Sequence, residues 1–71
     1  MVIRRLRELR EDRDLKQREI AKVLKIPTHT YGNYELGIRV IPIEYLVELA
    51  LFYKISVDYI LEKTNEMKPY K

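Results

Sequence analysis

The chain contains no cysteine. Disulfides and thiolate metal sites are therefore excluded, and the composition fits a reducing cytoplasm. There is one histidine, His29, which argues against a histidine metal site. Only two glycines are present, far apart in role, and no Gly-rich phosphate-cradling loop can be traced. No apolar run approaches the roughly 20 residues needed to span a bilayer. The opening MVIRRLREL lacks the uninterrupted apolar core of a signal peptide. These absences predict a soluble, cytoplasmic protein with no membrane partner, no cofactor and no small-molecule ligand evident. Enzyme chemistry fails on the same ground. There is no Cys nucleophile, and His29 has no serine or acid pair beside it. The carboxylates lie mostly on helix faces that read as solvated.

What is present is a small, charged chain. At 71 residues, one domain is the expectation, and its core is marginal. With disulfides and metals gone, stability must come from compact helix packing, oligomerisation or both. Net charge is +3 with a pI near 9.3. Its distribution is uneven. Residues 1–41 hold ten Lys/Arg against six Asp/Glu, whereas residues 42–71 hold four against five. A polyanion partner would face the basic half. Charge alone does not separate that reading from ordinary solvated helix surface.

The periodicity is helical throughout, with no strand-like alternation, no repeats and no low-complexity segment. Residues 3–13 read as a first helix, with Ile3, Leu6 and Leu9 on one stripe that Arg13 extends. Asp14-Leu15-Lys16 is a turn in which Leu15 reads as a core anchor and Asp14 could cap the next helix. Residues 17–24 form a second helix with Ile20, Ala21, Val23 and Leu24 inward. Lys25-Ile26-Pro27 is the joint, and Pro27 suits the start of a following helix. The third helix, 28–35, turns Tyr31 and Tyr34 to the core and presents Thr28, His29, Thr30 and Asn33 outward. Gly32 in its middle costs about 1 kcal/mol relative to Ala. Either another backbone approaches there, DNA included, or the helix is locally weak. Gly37 is the expected left-handed cap. A fourth helix, 43–53, spreads Ile43, Leu46, Val47, Leu49, Ala50 and Tyr53 over a wide apolar face. Ser56 caps a fifth helix carrying Val57, Ile60 and Leu61, and residues 63–71 read as a frayed tail.

Five short helices with a tight turn between the second and third describe a helix-turn-helix. The chain resembles the phage-repressor-type (XRE/Cro-like) helix-turn-helix family over about residues 3–62. The marks that carry the resemblance are the Leu6–Arg10 opening, Gln17 followed by Ile20-Ala21, Tyr34-Glu35 then Gly37, Pro42, Leu49-Ala50, and Ser56-Val57-Asp58. The resemblance implies an all-α, five-helix, lambda-repressor-like domain over 1–62. It also implies a sequence-specific transcriptional regulator of double-stranded DNA, a repressor and homodimer associated with the nucleoid, whose third helix enters the major groove of an inverted repeat. The implied base readers are Gln17, Thr28, His29 and Asn33, residue types that supply donors and acceptors to base edges. Lys16, Gln17, Thr30 and Arg39 fall at phosphate-binding positions. Arg10 and Glu35 match a structural ion pair. The dimer surface of relatives maps to Ile55, Ser56, Val57 and Tyr59.

The chain departs from the family pattern at three places. Lys25 stands where Gly is common and would be strained in a left-handed conformation. Pro27 replaces the usual Ser or Thr cap. Gly32 loosens the reading helix. An alternative role is an antitoxin-like or phage-encoded protein-interaction module on the same fold, which would favour an exposed apolar patch over a basic face.

Overall fold

A computed structural model describes residues 2–63. The element order is α1 (Arg4–Asp12), α2 (Gln17–Leu24), α3 (Thr28–Leu36), α4 (Ile43–Tyr53) and α5 (Val57–Ile60), with no strand among the described residues. The helices fall into two packing units, one ending at Val40 and the other beginning at Ile41. The expected tail lies, from residue 64 onward, outside the described residues.

The first unit is built on α3, which packs against both α1 and α2. Ile3 at the N-cap of α1 and Leu6 and Leu9 within it are buried, as their three-residue spacing requires. Its opposite face carries the exposed i,i+4 pair Arg7–Glu11 at 3.1 Å, a pairing worth a few tenths of a kcal/mol. The helix stops at Asp12, so Arg13 does not extend the stripe but lies exposed after it. From α2, Ile20, Ala21 and Leu24 are buried and Val23 is half-buried. From α3, Tyr31 and Tyr34 are buried, as expected.

Asp14 does not cap α2. It occupies the turn itself, in a left-handed conformation at φ 55°, while Lys16 takes the N-cap position. The Lys16 backbone N–H donates to the Glu19 carboxylate at 3.0 Å, one arm of a capping box. Lys25 closes the other end of α2 at φ 59°, ψ 42°.

The same closure recurs along the chain. Left-handed residues Asp14, Lys25, Gly37 and Lys54 follow α1, α2, α3 and α4. In each case the next residue's N–H reaches back five positions. Leu15 donates to the Arg10 carbonyl at 3.0 Å, Ile26 to Ala21 at 3.0 Å, Ile38 to Asn33 at 3.0 Å and Ile55 to Ala50 at 2.9 Å. This is the Schellman arrangement, with an apolar residue placed after the left-handed one each time. Only Gly37 adopts that conformation without a Cβ penalty.

The second unit pairs α4 with α5. The wide apolar face expected of α4 divides in two. Leu46, Leu49, Ala50 and Tyr53 are buried, but Ile43 and Val47 are 58% and 43% exposed, and Leu51 is 74% exposed. The helical repeat explains the division: Ile43, Val47 and Leu51 recur every four residues and form a row of their own beside the buried one. In α5, Ile60 is fully buried, and the Ser56 Oγ accepts the Tyr59 N–H at 3.0 Å, the expected N-cap.

Candidate nucleic-acid interface

The outward side of α3 begins at Pro27, whose φ of −63° and ψ of 149° launch the helix without a side-chain cap. The single Pro27 carbonyl accepts the N–H groups of both Thr30 and Tyr31, at 3.1 and 3.2 Å. Thr28 and His29 stand exposed on the first turn, Asn33 is half-buried one turn on from His29, and Thr30 is half-buried. Lys16 is exposed at the head of α2, and Arg39 is exposed just beyond α3. The Asn33 carbonyl accepts the N–H of Arg39 at 3.3 Å, which ties the backbone at Arg39 to the end of α3. Two cationic positions thus flank the two-helix element, and a polar row runs along its second helix.

A buried polar cluster holds this element together. Arg10 Nε donates to Glu35 Oε2 at 2.7 Å and Nη2 donates to Oε1 at 3.1 Å, a two-pronged ion pair of the expected partners. Both side chains are largely withdrawn from solvent, 12% exposed for Arg10 and 4% for Glu35. Arg10 Nη1 also donates to the Leu15 carbonyl at 2.9 Å, so one guanidinium joins α1, the first turn and α3. Glu35 Oε1 accepts a further hydrogen bond from Gln17. Burial alone would push the Glu35 carboxyl up. The hydrogen bonds from Arg10 and Gln17, the nearby Tyr31 hydroxyl and the Arg10 charge outweigh it and hold the carboxyl below its usual range. Arg10 is correspondingly raised above the ordinary guanidinium value, chiefly by its hydrogen bond to Glu35.

Gln17 is only half-exposed, and its Nε2 donates to Glu35 Oε1 at 3.0 Å. Its carboxamide therefore lies across from α2 to α3. Gly32 makes that path possible. A Cβ placed there would lie 3.2 Å from Gln17 Oε1. Gly32 thus answers to a close approach, and the approaching group is a side chain of this chain. The glycine signalled some close neighbour. Nothing in the 18-residue separation of Gln17 and Glu35 signalled which one.

Ile55 and Ser56 are buried, each at 4% exposure, with the Ser56 hydroxyl spent on its cap. Val57 and Tyr59 are half-buried. The described residues contain no cluster of metal-ligating side chains, and none of their helices is long and apolar enough to cross a membrane.

Comparison with known proteins agrees with this geometry. The helix-turn-helix family profile matches residues 6–60. An uncharacterized HTH-type transcriptional regulator of Bacillus subtilis (strain 168), YobD, is 39% identical over 69 residues, covering 97% of this chain and 62% of its own length. The HTH-type transcriptional regulator ImmR of the same organism is 34% identical over 65 residues, covering 92% of this chain and 51% of its own length. The chain thus spans less than two thirds of either relative. No solved structure matches it. The helix order, the α2–α3 element with its buried Arg10–Glu35 tie, and these two regulators agree: the chain belongs to the XRE-type helix-turn-helix family, which is not an enzyme family.

Proposed function

We propose that this chain binds double-stranded DNA sequence-specifically and regulates transcription as a repressor, laying α3 in the major groove of an inverted-repeat operator. The observation that carries the reading is the outward row of Thr28, His29 and Asn33 on a helix whose other side is bolted down by Tyr31, Tyr34 and Glu35. A reading helix needs polar groups free to meet base edges and a frame that fixes their register. Gln17, Thr28, His29 and Asn33 take the base-reading role, and Lys16, Gln17, Thr30 and Arg39 hold phosphates. The two relatives, both named transcriptional regulators, support the same assignment. So does the basic bias of residues 1–41.

The protein acts as a homodimer. A second copy is supported by the exposed row Ile43, Val47 and Leu51 on α4. Two such rows running antiparallel set Ile43 against Leu51 and Val47 against itself, so the patch is self-complementary. That pairing also brings the acidic head of α4, Glu44, toward the Lys54 end of the second copy. Val57 and Tyr59 remain partly open to add to the interface, whereas Ile55 and Ser56 are occupied within the fold. The same exposed row is what a protein-interaction module would use, and a monomer that captures another protein in place of DNA would replace the regulator reading. The deciding experiment is selection of bound duplexes from a random DNA pool. Enrichment of an inverted repeat is expected, and recovery of unenriched sequence would overturn the proposal.

A further inference from the structure

We infer that Gly32 is a positioning residue: its missing side chain admits the Gln17 carboxamide onto α3, where Glu35 fixes which end of the amide points which way. The inference rests on the reading of α3 as the DNA-facing helix, and it concerns how that surface is set before DNA arrives.

The geometry is specific. An ionised carboxylate can only accept hydrogen bonds, so the end of the Gln17 amide that meets Glu35 must be the NH2 group. The 3.0 Å bond from Nε2 to Glu35 Oε1 therefore dictates the flip of the amide and turns Oε1 toward Gly32. At the point where a Cβ would stand, Gln17 Oε1 is 3.2 Å away, Cδ 3.8 Å and Nε2 3.9 Å. The whole carboxamide plane thus lies over this one backbone position. Gly32 and Thr28 are one turn apart on α3, as are His29 and Asn33. The amide consequently sits beside the row assigned to base reading, with one N–H committed to Glu35 and the other still to be used. An alanine at 32 would force the amide to give by a few tenths of an ångström, against a carboxylate that is itself held by two hydrogen bonds from Arg10.

Helix propensity makes the effect diagnostic. Ala is favoured over Gly inside a helix, so Gly32→Ala improves the local helix while displacing Gln17. A helix-interior glycine with no close neighbour would only gain from the change. A positioning residue would gain in helix and lose in binding.

The test is a double-mutant cycle on the full chain, with the DNA-free protein followed in parallel by NMR. Gly32→Ala in the wild-type background is expected to weaken binding to the selected duplex by about three- to tenfold, the size of one side chain forced off its rotamer. In a Gln17→Ala background the same substitution is expected to change affinity less than about twofold, because nothing is left to displace. Without DNA, the Gln17 side-chain NH2 resonances of the wild type should show a proton shifted by its carboxylate partner, and Gly32→Ala should move that signal toward the free-amide position. An unmoved Gln17 signal in Gly32→Ala overturns the inference even if no duplex is ever selected. Equal losses of affinity in both backgrounds also overturn it, because they would place the added methyl against DNA itself. A wild type that selects no duplex while the Gln17 signal moves as expected would sink the DNA reading and leave the positioning intact.

Discussion

Arg10 and Glu35, 25 residues apart, meet through two hydrogen bonds of 2.7 and 3.1 Å in a setting almost closed to water. A pair so placed is costly to break from one side, because the survivor is left charged and unsolvated. Glu35→Ala is expected to destabilise the fold by about 3–5 kcal/mol, and the joint replacement Arg10→Met with Glu35→Leu should recover most of that loss. Urea unfolding of the two variants beside the wild type checks both. A single variant as stable as the wild type would remove the pair from the frame.

The same carboxyl gives stability a pH dependence of known sign. Its folded value lies below its ordinary one, so its contribution is complete above the unfolded value of about 4.3 and is lost as pH falls through the folded value. Thermal unfolding should therefore show Tm falling on acidification below about pH 4.5. The fall should be shallower in the double variant Arg10→Met, Glu35→Leu. Parallel curves for the two proteins would assign the acid sensitivity to other groups.

On DNA, His29→Ala and Asn33→Ala are expected to weaken binding to a selected duplex by about 1–3 kcal/mol each while leaving binding to random duplex nearly unchanged. Equal losses on both duplexes would take these side chains off the bases. Arg39→Ala should lower affinity for every sequence and flatten the slope of log K against log salt by about one unit. Titrations across a range of salt concentrations measure that slope.

The left-handed helix ends at Lys25 and Lys54 carry a Cβ where Gly37 carries none. Lys25→Gly and Lys54→Gly should each raise stability by about 0.5–1 kcal/mol, the left-handed penalty less the added freedom of the unfolded chain. Scanning calorimetry resolves such shifts at this size. A fall in Tm would mean that a Lys side chain holds more than its conformation costs.

For the dimer, Val47→Glu places a charge where the two α4 rows would cross. Sedimentation at high micromolar protein should show the wild type as a dimer and the variant as a monomer, with the variant's melting curve close to the wild type's because Val47 is exposed. A dimer unaffected by Val47→Glu would move the interface elsewhere.

Most of the frame was legible from residue spacing. Leu6 and Leu9, Ile20 and Leu24, and Tyr31 and Tyr34 announce their helices and their buried sides, because a short helix must bury one stripe and the stripe repeats with the helix. Gly37 and Ser56 announce ends by their local chemistry. The left-handed turn at Lys25 was not legible: the strain of a lysine there argued for a different turn, and the chain accepts that strain to close α2. Asp14 misled because its side chain suits a cap, while its backbone is equally suited to the left-handed turn it actually forms. The division of α4 into a buried and an exposed row was not legible, because both rows are apolar and only packing decides between them. Nor was the Gln17–Glu35 hydrogen bond, which depends on how two helices meet.

Glu35 ends up with two dependants of different kinds. One is Arg10, which keeps α1 in place, and the other is Gln17, which belongs to the surface facing outward. With α3 reading DNA as proposed, variation in Thr28, His29 and Asn33 would retune which sequence is read without disturbing the scaffold. Variation at Gln17 has no such freedom, since its amide is moored to the carboxylate that secures the fold. On the proposed reading of α3, the recognition surface divides into positions free to diversify and one position whose evolution is bound to stability.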